Sequence, residues 1–528
     1  MKGNRLQATL NASIGLVGVL LSLLSVWAMQ RAIDIAAHMR EGSIGWAIVF
    51  MAALTLGEFG VGIGRVWIRN ILGVKAQNLM QQRLVASLLK ARWQGREAMH
   101  SGDIINRLEE DVRQVVNFLT ETLPSVLSTL AMFFGAFLYL LRMDVWLACI
   151  TVSILPLFAA ISRFYIAYMR RYSRKVRQTD SEIQGLLTET MQHRMLVKTM
   201  EADSQMLTRL GNAQQVLRQW VRRRTLFSVG SNLFLNTGFM LGYLIAFLWG
   251  ALRLSAGTLT FGGMTAFLQL VNRIQGPARE ITRLAPAFVS VFTAAERLME
   301  LELSPKEEQA PPRMVSAPCG LRMTDVSYTY PSGDRAVVEH LNFNFTPATC
   351  TAITGPTGGG KTTLIRLLLA LIEPQEGELT IHGSQGEGER LSTCHRCNFV
   401  YVPQGNTMLS GTLRENLLLG NPDATEEQMN KALETACADF VESLPKGLDT
   451  HFSEQGGGLS EGQAQRLSIA RALLRPGSIM LLDEATSALD TDTERRVLEN
   501  ILGLGGRTVI VVTHRPAVLQ YCQQVLEL

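Results

Sequence analysis

The sequence predicts two domains of different class in one chain: an all-α bundle of six membrane-crossing helices, then a soluble α/β domain built round a phosphate-binding loop. Three observations predict it. Six apolar runs, each close to the ~20 residues that span a bilayer, all fall before residue 303. After residue 320 the pattern changes to short β-like runs, glycine turns and helical periodicity, as in a soluble α/β domain. In that second half a glycine-rich loop stands between an apolar run and an apolar-periodic helix.

The chain has 528 residues, too long for one ordinary core, and two domains account for it. Its apolar share of 47% against 18% charged residues leans toward membrane composition. Spans are placed at about residues 10–30, 45–68, 122–141, 145–168, 226–252 and 259–285, giving a transmembrane domain over 1–303. Residues 304–320, rich in proline and mixed charge, form a linker, and the soluble domain covers 321–528. Lys2 and Arg5 before an apolar run imitate a signal peptide, but no small-residue cleavage site follows, so the run is taken as a retained helix.

Charge sets the orientation. Residues 75–121 hold seven Lys/Arg and residues 169–224 twelve, while the alternate connections hold only Arg31, Arg40, Arg142 and Arg253. Both termini and the soluble domain are therefore expected on the cytoplasmic side, with the bacterial inner (cytoplasmic) membrane as the expected location. The net charge of +4 follows the membrane segments, so no nucleic-acid partner is expected. The two basic connections are polar and helix-prone, and are expected to continue the membrane helices into the cytosol. Seven cysteines without regular spacing suit reduced thiols and not a disulfide framework.

The chemistry starts at GPTGGGKTT, residues 355–363. Gly355, Gly358, Gly359 and Gly360 let backbone N–H groups turn inward round phosphate oxygens, and the following helix adds its positive end. Lys361 supplies charge to the β- and γ-phosphates of ATP, and the Thr362 hydroxyl is placed for Mg²⁺. Pro356, Thr357 and Thr363 complete the loop as nucleotide-binding candidates. Downstream, the apolar run 479–482 ends in Asp483 and Glu484, so a buried strand delivers two carboxylates to the sheet edge where such folds bind ligands. Asp483 is the Mg²⁺ candidate, and Glu484 the general base that deprotonates the attacking water.

The order of further motifs resembles the ATPase domain of ABC transporters over nearly all of 321–528. LSEGQAQRLSIARALL at 459–474 resembles the family signature, with Leu459, Ser460, Glu461, Gly462 and Gln463 at its head. The resemblance implies that Ser460 and Gly462 meet the γ-phosphate of ATP on the opposite subunit. It implies that Tyr330 in YTYPSG stacks on adenine, that Gln404 in YVPQG senses Mg²⁺ and the attacking water, and that His514 in VVTHR contacts the γ-phosphate. Ser487, Ala488, Leu489 and Asp490 are similar to the loop that crosses the dimer interface, and Glu454 resembles an acidic residue that touches the membrane domain. Catalysis is thereby assigned to Glu484, His514 and Gln404, and Mg²⁺ to Thr362, Gln404 and Asp483.

The membrane half is similar to the six-helix, type I exporter domain through SGDIINRLEEDV at 101–112 and LSAGTLTFGGMTAFLQL at 254–270. By that resemblance the turns near 99–106 and 191–200 dock on ATPase domains, the second on the partner's. One phosphate loop and one signature imply half a machine, completed as a homodimer or as a heterodimer with a related half. The expected function is ATP-driven export of an amphiphilic, lipid, drug-like or peptide substrate by a dimer of such halves. An exporter-fold importer, a thiol exporter and a non-transporting ATP-binding regulator are the alternatives.

Several features stand apart. Glu58 and Arg65 lie in the second apolar run on nearly one helix face, about 10 Å apart along the axis, where substrate contact and structural pairing both fit. CHRC at 394–397 has the spacing of half a zinc site or a redox pair, but no second pair stands nearby and a structural role is favoured. Arg222, Arg223 and Arg224 before the fifth span are explained by topology. Two departures from the family pattern are Glu461, where glycine is commonest, and Leu528, which falls in the strand after His514 and leaves the domain C-terminally short with a bare far edge.

Overall fold

The computed structural model describes residues 5–93, 101–331, 335–356, 358–384, 388–453 and 457–528. They belong to two compact units, Met1–Val85 with Gly102–Glu302 and Ala86–Ser101 with Leu303–Leu528.

The first unit is helical throughout. α1 (Arg5–Ala36) and α2 (Ile44–Leu89) are followed by one continuous helical run of α3 (Ser101–Asn106), α4 (Val112–Asn117) and α5 (Leu123–Met143). Two π-turns, Arg107–Asp111 and Phe118–Thr122, join its parts. Pro124 falls just after the second π-turn, so the proline stands where the helical bonding pattern already changes. α6 (Val145–Gln192), the short α7 (Arg194–Thr199), α8 (Asp203–Ser255) and α9 (Phe261–Glu302) complete the unit.

Six long helical runs thus stand where six spans were predicted, and they continue well beyond the apolar stretches, as the basic connections required. Four of them, over Thr9–Ala36, Ile44–Leu89, Gly102–Met143 and Asp203–Ser255, are long and apolar enough to cross a membrane by length and composition alone. α9 carries Gln269 and Gln275, whose side-chain amides donate to Met29 Sδ at 2.9 Å and to Phe239 O at 3.3 Å, so polar groups within the bundle find partners on neighbouring helices. Much of the apolar centre of α6, at 154–167, has its side chains outside the described residues.

α1, α5, α6, α8 and α9 share a core of Val26, Leu140, Ala148, Ala246, Phe267, Leu270 and Ile274. α1 and α9 approach closely at Gly262, where an added Cβ would lie 2.2 Å from the Gln30 carbonyl oxygen. The Gly262 N–H donates to buried Asp34 Oδ1 at 3.0 Å. α2 differs: Trp46, Leu56, Phe59 and Trp67 all remain exposed, and no residue of its most apolar stretch is buried.

Among the described residues the second unit has two larger sheets and one two-stranded ribbon. β1 (Gly320–Tyr328) and β2 (Val338–Phe345) join β4 (Glu376–His382) and β5 (Glu389–Arg390) in an antiparallel sheet of order β2-β1-β4-β5. β3 (Cys350–Thr354) leads into α10 (Lys361–Leu368) and belongs to the parallel sheet. Along the chain follow β6 (Phe399–Val402), β7 (Gly411–Thr412), α11 (Leu413–Leu418), α12 (Glu426–Thr435), β8 (His451–Phe452) and α13 (Glu461–Leu473). β9 (Ile479–Asp483), α14 (Thr491–Gly503), β10 (Thr508–Val512), α15 (Pro516–Leu519) and β11 (Gln524–Glu527) close the unit. The parallel order is β11-β3-β10-β9-β6.

β10 is buried at all five positions, as expected for a parallel strand covered on both faces. Its register sets Val512 beside Ile353 and Asp483, so the C-terminal ends of β3, β9 and β10 finish level at one edge. β11 takes the outer place beside β3, and the Leu528 N–H donates to Thr354 O at 3.0 Å.

The segment predicted as a linker is tied down. Glu307 receives a forked pair from Arg396 at 2.6 and 2.8 Å, and the Val315 N–H donates to Asn398 Oδ1 at 2.8 Å. Lys90 and Arg92 exchange backbone hydrogen bonds with Glu307 and Pro305. These partners are distant in sequence, so no local pattern announces them. CHRC lies in a 3-10 turn (Thr393–Asn398) where Cys397 Sγ contacts Arg313 O at 3.2 Å and His395 contacts Glu389 at 3.3 Å.

Candidate nucleotide site

The loop after β3 depends on glycine where a side chain would collide. Gly360 caps α10 in the left-handed region at φ 95°, and a Cβ there would lie 2.8 Å from the Val337 carbonyl oxygen. Gly355, at φ 147°, is equally close to Leu528 O. The Gly359 N–H donates to Pro356 O at 3.1 Å, folding the loop over the helix end. Thr357 lies outside the described residues.

Lys361 Nζ donates to Gly355 O at 2.7 Å and Pro356 O at 3.2 Å, and stands 2.8 Å from His514 Nε2. Thr362 is exposed in the first turn of α10. Thr363 is buried and points the other way, its hydroxyl 3.0 Å from that of Tyr330. Arg366 Nη1 also donates to the Tyr330 hydroxyl at 3.0 Å, and its guanidinium lies over the Trp93 ring. Tyr330 is therefore oriented by α10, with Tyr328 packed edge-on against it.

At the neighbouring strand end, burial pushes the Asp483 carboxyl above its ordinary range, and the Glu484 charge adds to that. A hydrogen bond from the Tyr401 hydroxyl to Asp483 Oδ2, at 3.2 Å, opposes the rise. Glu484 is held in the left-handed region at φ 47°, an uncommon state for a non-glycine residue that is often found at functional sites. Its N–H donates to Val512 O at 3.1 Å, which fixes the turn. Gln404 Nε2 donates to Glu484 Oε2 at 2.6 Å, and His514 Nε2 lies 3.3 Å from Oε1. A neutral His514 Nε2 can accept from Lys361 or donate to Glu484, but not both. Lys361, Gln404, Asp483, Glu484 and His514 thus share one edge, as the motif order predicted.

The signature stands elsewhere. Ser460 caps α13: its side-chain oxygen accepts from the Gln463 N–H, and Gln463 Oε1 accepts from the Ser460 N–H at 2.9 Å. Gln463 is therefore engaged in the cap itself. Ser460 and Glu461 are exposed, Leu459 and Gly462 half-buried. Glu461 places its charge at the positive end of the helix, which favours it. A Cβ on Gly462 would lie 2.9 Å from Ala488 O, so the signature helix meets the 487–490 loop backbone to backbone. Asp490 caps α14, accepting from the Thr493 N–H at 3.0 Å. Ser487 and Ala488 are exposed and Leu489 is buried. Glu454 lies outside the described residues.

Sequence reasoning missed the residues that hold that loop. Buried Gln465 donates to Ser487 Oγ at 3.1 Å and accepts from the Ala488 N–H at 3.0 Å. Arg515 donates to Ser487 O at 2.6 Å and Leu489 O at 3.0 Å, and pairs with buried Glu494 at 2.9 Å. The Thr486 hydroxyl completes the group on Glu494 at 2.6 Å. A glutamine among the apolar positions of α13 was the one available signal.

Oxygen donors at Asp483, Thr362 and Gln404 suit a hard cation held jointly with nucleotide phosphates. Among the described residues no group of three His, Cys, Asp or Glu side chains could hold a metal by itself.

A bundle of long apolar helices in one chain with a phosphate-loop ATPase unit defines a class, the membrane-embedded ATP-driven pumps. The family model of the ABC transporter transmembrane region matches residues 11–278, and the ABC transporter family model matches residues 338–487. The chain is 30% identical over 439 residues to the ATP-dependent lipid A-core flippase of Pseudomonas fluorescens (strain Pf0-1), covering 81% of this chain and 71% of that one. It is 27% identical over 510 residues to a multidrug resistance ABC transporter ATP-binding and permease protein of Lactococcus lactis, covering 95% and 85%. The fold is similar to a bacterial Atm1-family ABC exporter with ATP bound, with TM-score 0.82, 22% identity and coverage of 99% and 94%. The chain belongs to the ABC transporter family. It is an integral multi-pass membrane protein that binds ATP, couples its hydrolysis to transport, and carries one membrane region and one ATPase region, as half-transporters do.

Proposed function

We propose that the chain is one half of a dimeric exporter for an amphiphilic, lipid, drug-like or peptide substrate, with its ATPase unit on the cytoplasmic face of a bacterial inner membrane. The observation that carries this reading is an asymmetry within one ATPase unit. Loop, carboxylates and histidine share one sheet edge, while the exposed Ser460 cap presents a helix N-terminus with no phosphate site of its own. Such an end is an anion site looking for a second nucleotide, which a partner subunit supplies. The partner is a second copy or a related half.

In the closed dimer, Lys361 leaves Gly355 O and Pro356 O for the β- and γ-phosphates, and His514 is released to donate to the γ-phosphate. Tyr330 stacks on adenine, while Ser460 and Gly462 act on the partner's γ-phosphate. Asp483, Thr362 and Gln404 would hold Mg²⁺, which would supply neutralisation of phosphate charge when bound. Glu484 accepts the proton of the attacking water, oriented by Gln404. The exposed Met191, Met195 and Met200 round α7 form a docking tip for the partner's ATPase unit.

Full-length protein in proteoliposomes tests the reading. Glu484→Gln is expected to cut ATP turnover by roughly 10²- to 10⁴-fold while ATP still binds, and to stop flux of a fluorescent lipid or drug. Undiminished turnover would remove Glu484 from its role, and flux without nucleotide would remove the pump.

A further inference from the structure

The sequence offers one pair of cysteines with redox spacing, and the structure brings together another. In CHRC at 394–397 the two sulfurs have other partners: Cys394 Sγ lies 3.1 Å from Ser392 Oγ, and Cys397 Sγ contacts Arg313 O at 3.2 Å. Cys319 Sγ lies 2.7 Å from Ser478 Oγ. The sulfurs that meet are those of Cys350 and Cys522, 3.1 Å apart in space and 172 positions apart in the chain.

The backbone holds them there. Cys350 opens β3, and β11 runs beside β3 in parallel register with Gln524 opposite Thr351. One position earlier, the Gln523 N–H donates to Cys350 O at 2.9 Å, and Gln523 Oε1 accepts from the Cys350 N–H at 2.7 Å. Cys522 stands in the turn that closes α15, its N–H donating to Leu519 O at 3.1 Å. Both main chains are thus fixed. Only a small swing of the two Sγ atoms separates 3.1 Å from the ~2.05 Å of a disulfide.

The two thiols are unequal. Cys350 is buried, whereas Cys522 is half-buried and open to a small solute. Their contact holds the Cys522 thiol below its ordinary value, with burial opposing, and holds Cys350 above it, with burial adding. Cys522 is therefore the nucleophile toward a solute, and Cys350 the thiol that resolves what forms on it. A bond between them would tie β11, the outer strand of the parallel sheet, to β3, which delivers the phosphate loop. β11 has β3 alone as a strand neighbour among the described residues. From Cys350 to Thr354 at the loop end, β3 rises about 13 Å, so the bond would stand clear of the phosphates.

We propose that Cys350 and Cys522 are a peroxide-responsive pair whose disulfide staples β11 to β3 and stabilises the ATPase unit without stopping it. The Cys522 thiolate attacks one oxygen of hydrogen peroxide. The O–O bond breaks, an S–O bond forms, and the leaving hydroxide takes up the proton that Cys522 gave. The Cys350 sulfur then attacks the Cys522 sulfur, the S–O bond breaks, and hydroxide departs with the Cys350 proton as a second water. Two thiols lose two electrons, and one peroxide is reduced to two waters. A dithiol reopens the bond by exchange and is itself oxidised, so the linked form records exposure to oxidant.

The test treats full-length protein in nanodiscs, reduced and then freed of reductant, with hydrogen peroxide. Thiols are then mapped by alkylation and peptide mass spectrometry. The Cys350 and Cys522 peptides should appear linked, and a dithiol should part them. The ATPase unit of the linked form should melt about 5 °C above the reduced form, with ATP turnover within about twofold of it. Cys350→Ser lacks the resolving thiol, so dimedone should trap a sulfenic acid on Cys522 there and hardly at all in the parent. Cys522→Ser should show neither the link nor the rise in melting temperature. Melting of both variants before peroxide separates lost chemistry from lost folding, and the peptide map of the parent needs no variant. Both thiols free after peroxide, or a Cys394–Cys397 link in their place, overturns the pair. A link that leaves melting unchanged, or a rise that persists in Cys522→Ser, overturns the staple. A turnover loss well beyond that range, reversed by a dithiol, would make the pair a switch and overturn the role assigned.

Discussion

The nucleotide edge and the membrane cavity arrange their polar groups in opposite ways. At the edge each charged group already has a partner: Lys361 has two carbonyls, Glu484 has Gln404, and Asp483 has Tyr401. In the ≈ 590 Å³ cavity lined from α1, α2 and α5, neither Glu58 nor Arg65 has a hydrogen bond or ion pair among the described residues, and the room is made by glycine and small hydroxyl residues. The difference follows from the tasks. Hydrolysis of one fixed bond gains from atoms set in advance to fractions of an ångström, whereas passage of a cargo needs volume, a charge balance and a weak hold. The soluble unit is accordingly bound up in hydrogen bonds.

The largest effect expected from this contrast is at Arg515. Arg515→Ala would leave Glu494, side chain 3% exposed, without its counter-charge and would free the 487–490 loop. A loss of about 3 kcal/mol is expected, since breaking one side of a buried pair strands the other charge. Urea unfolding of the full chain in detergent, followed by a probe on the ATPase unit, measures it; a loss well under 1 kcal/mol would mean that the loop needs no such bracing.

Gly262 asks whether the membrane unit has a fixed point too. Gly262→Val must push α9 from α1 or displace Asp34, with an expected cost of about 2 kcal/mol. Thermal unfolding in lipid would show it, and an unchanged transition would make even this close approach adjustable.

The smallest effect concerns the charge of Asp483. Its folded value is raised above the ordinary 3.8, so its charging opposes folding as pH rises through the carboxylate range. That penalty is absent below 3.8 and complete above the folded value. Asp483→Asn should therefore melt slightly higher than the parent at neutral pH without nucleotide, and should show no advantage in acid. A variant that melts lower at neutral pH would show the carboxylate to be stabilising where it stands.

Much of the ATPase site was legible because its chemistry is local. A phosphate loop needs consecutive glycines, a lysine and a helix start within nine residues, and two acids must follow directly on a buried strand. The supports were illegible for the opposite reason. Gln465 and Arg515 act on the loop at 487–490 from other elements, and Arg366 reaches Tyr330 across 36 positions. Thr363 belongs to the loop in sequence, yet the helix turns it to Tyr330 and away from the loop.

By itself, then, the sequence determined the two solvents, the six helical runs and the order of the nucleotide motifs, since hydrophobic length, strand burial and turn chemistry are short-range constraints. Only the tertiary structure decided which charges meet. Glu58 and Arg65 are seven residues apart on one helix, and their helix alone left pairing and substrate contact equally open. It took Gly15 of α1 to admit the Arg65 guanidinium, whose carbon lies 3.9 Å from where a Gly15 Cβ would stand. Charge balance in a low-dielectric interior is a sum over neighbouring helices, and helix neighbours are not encoded in any one stretch of chain.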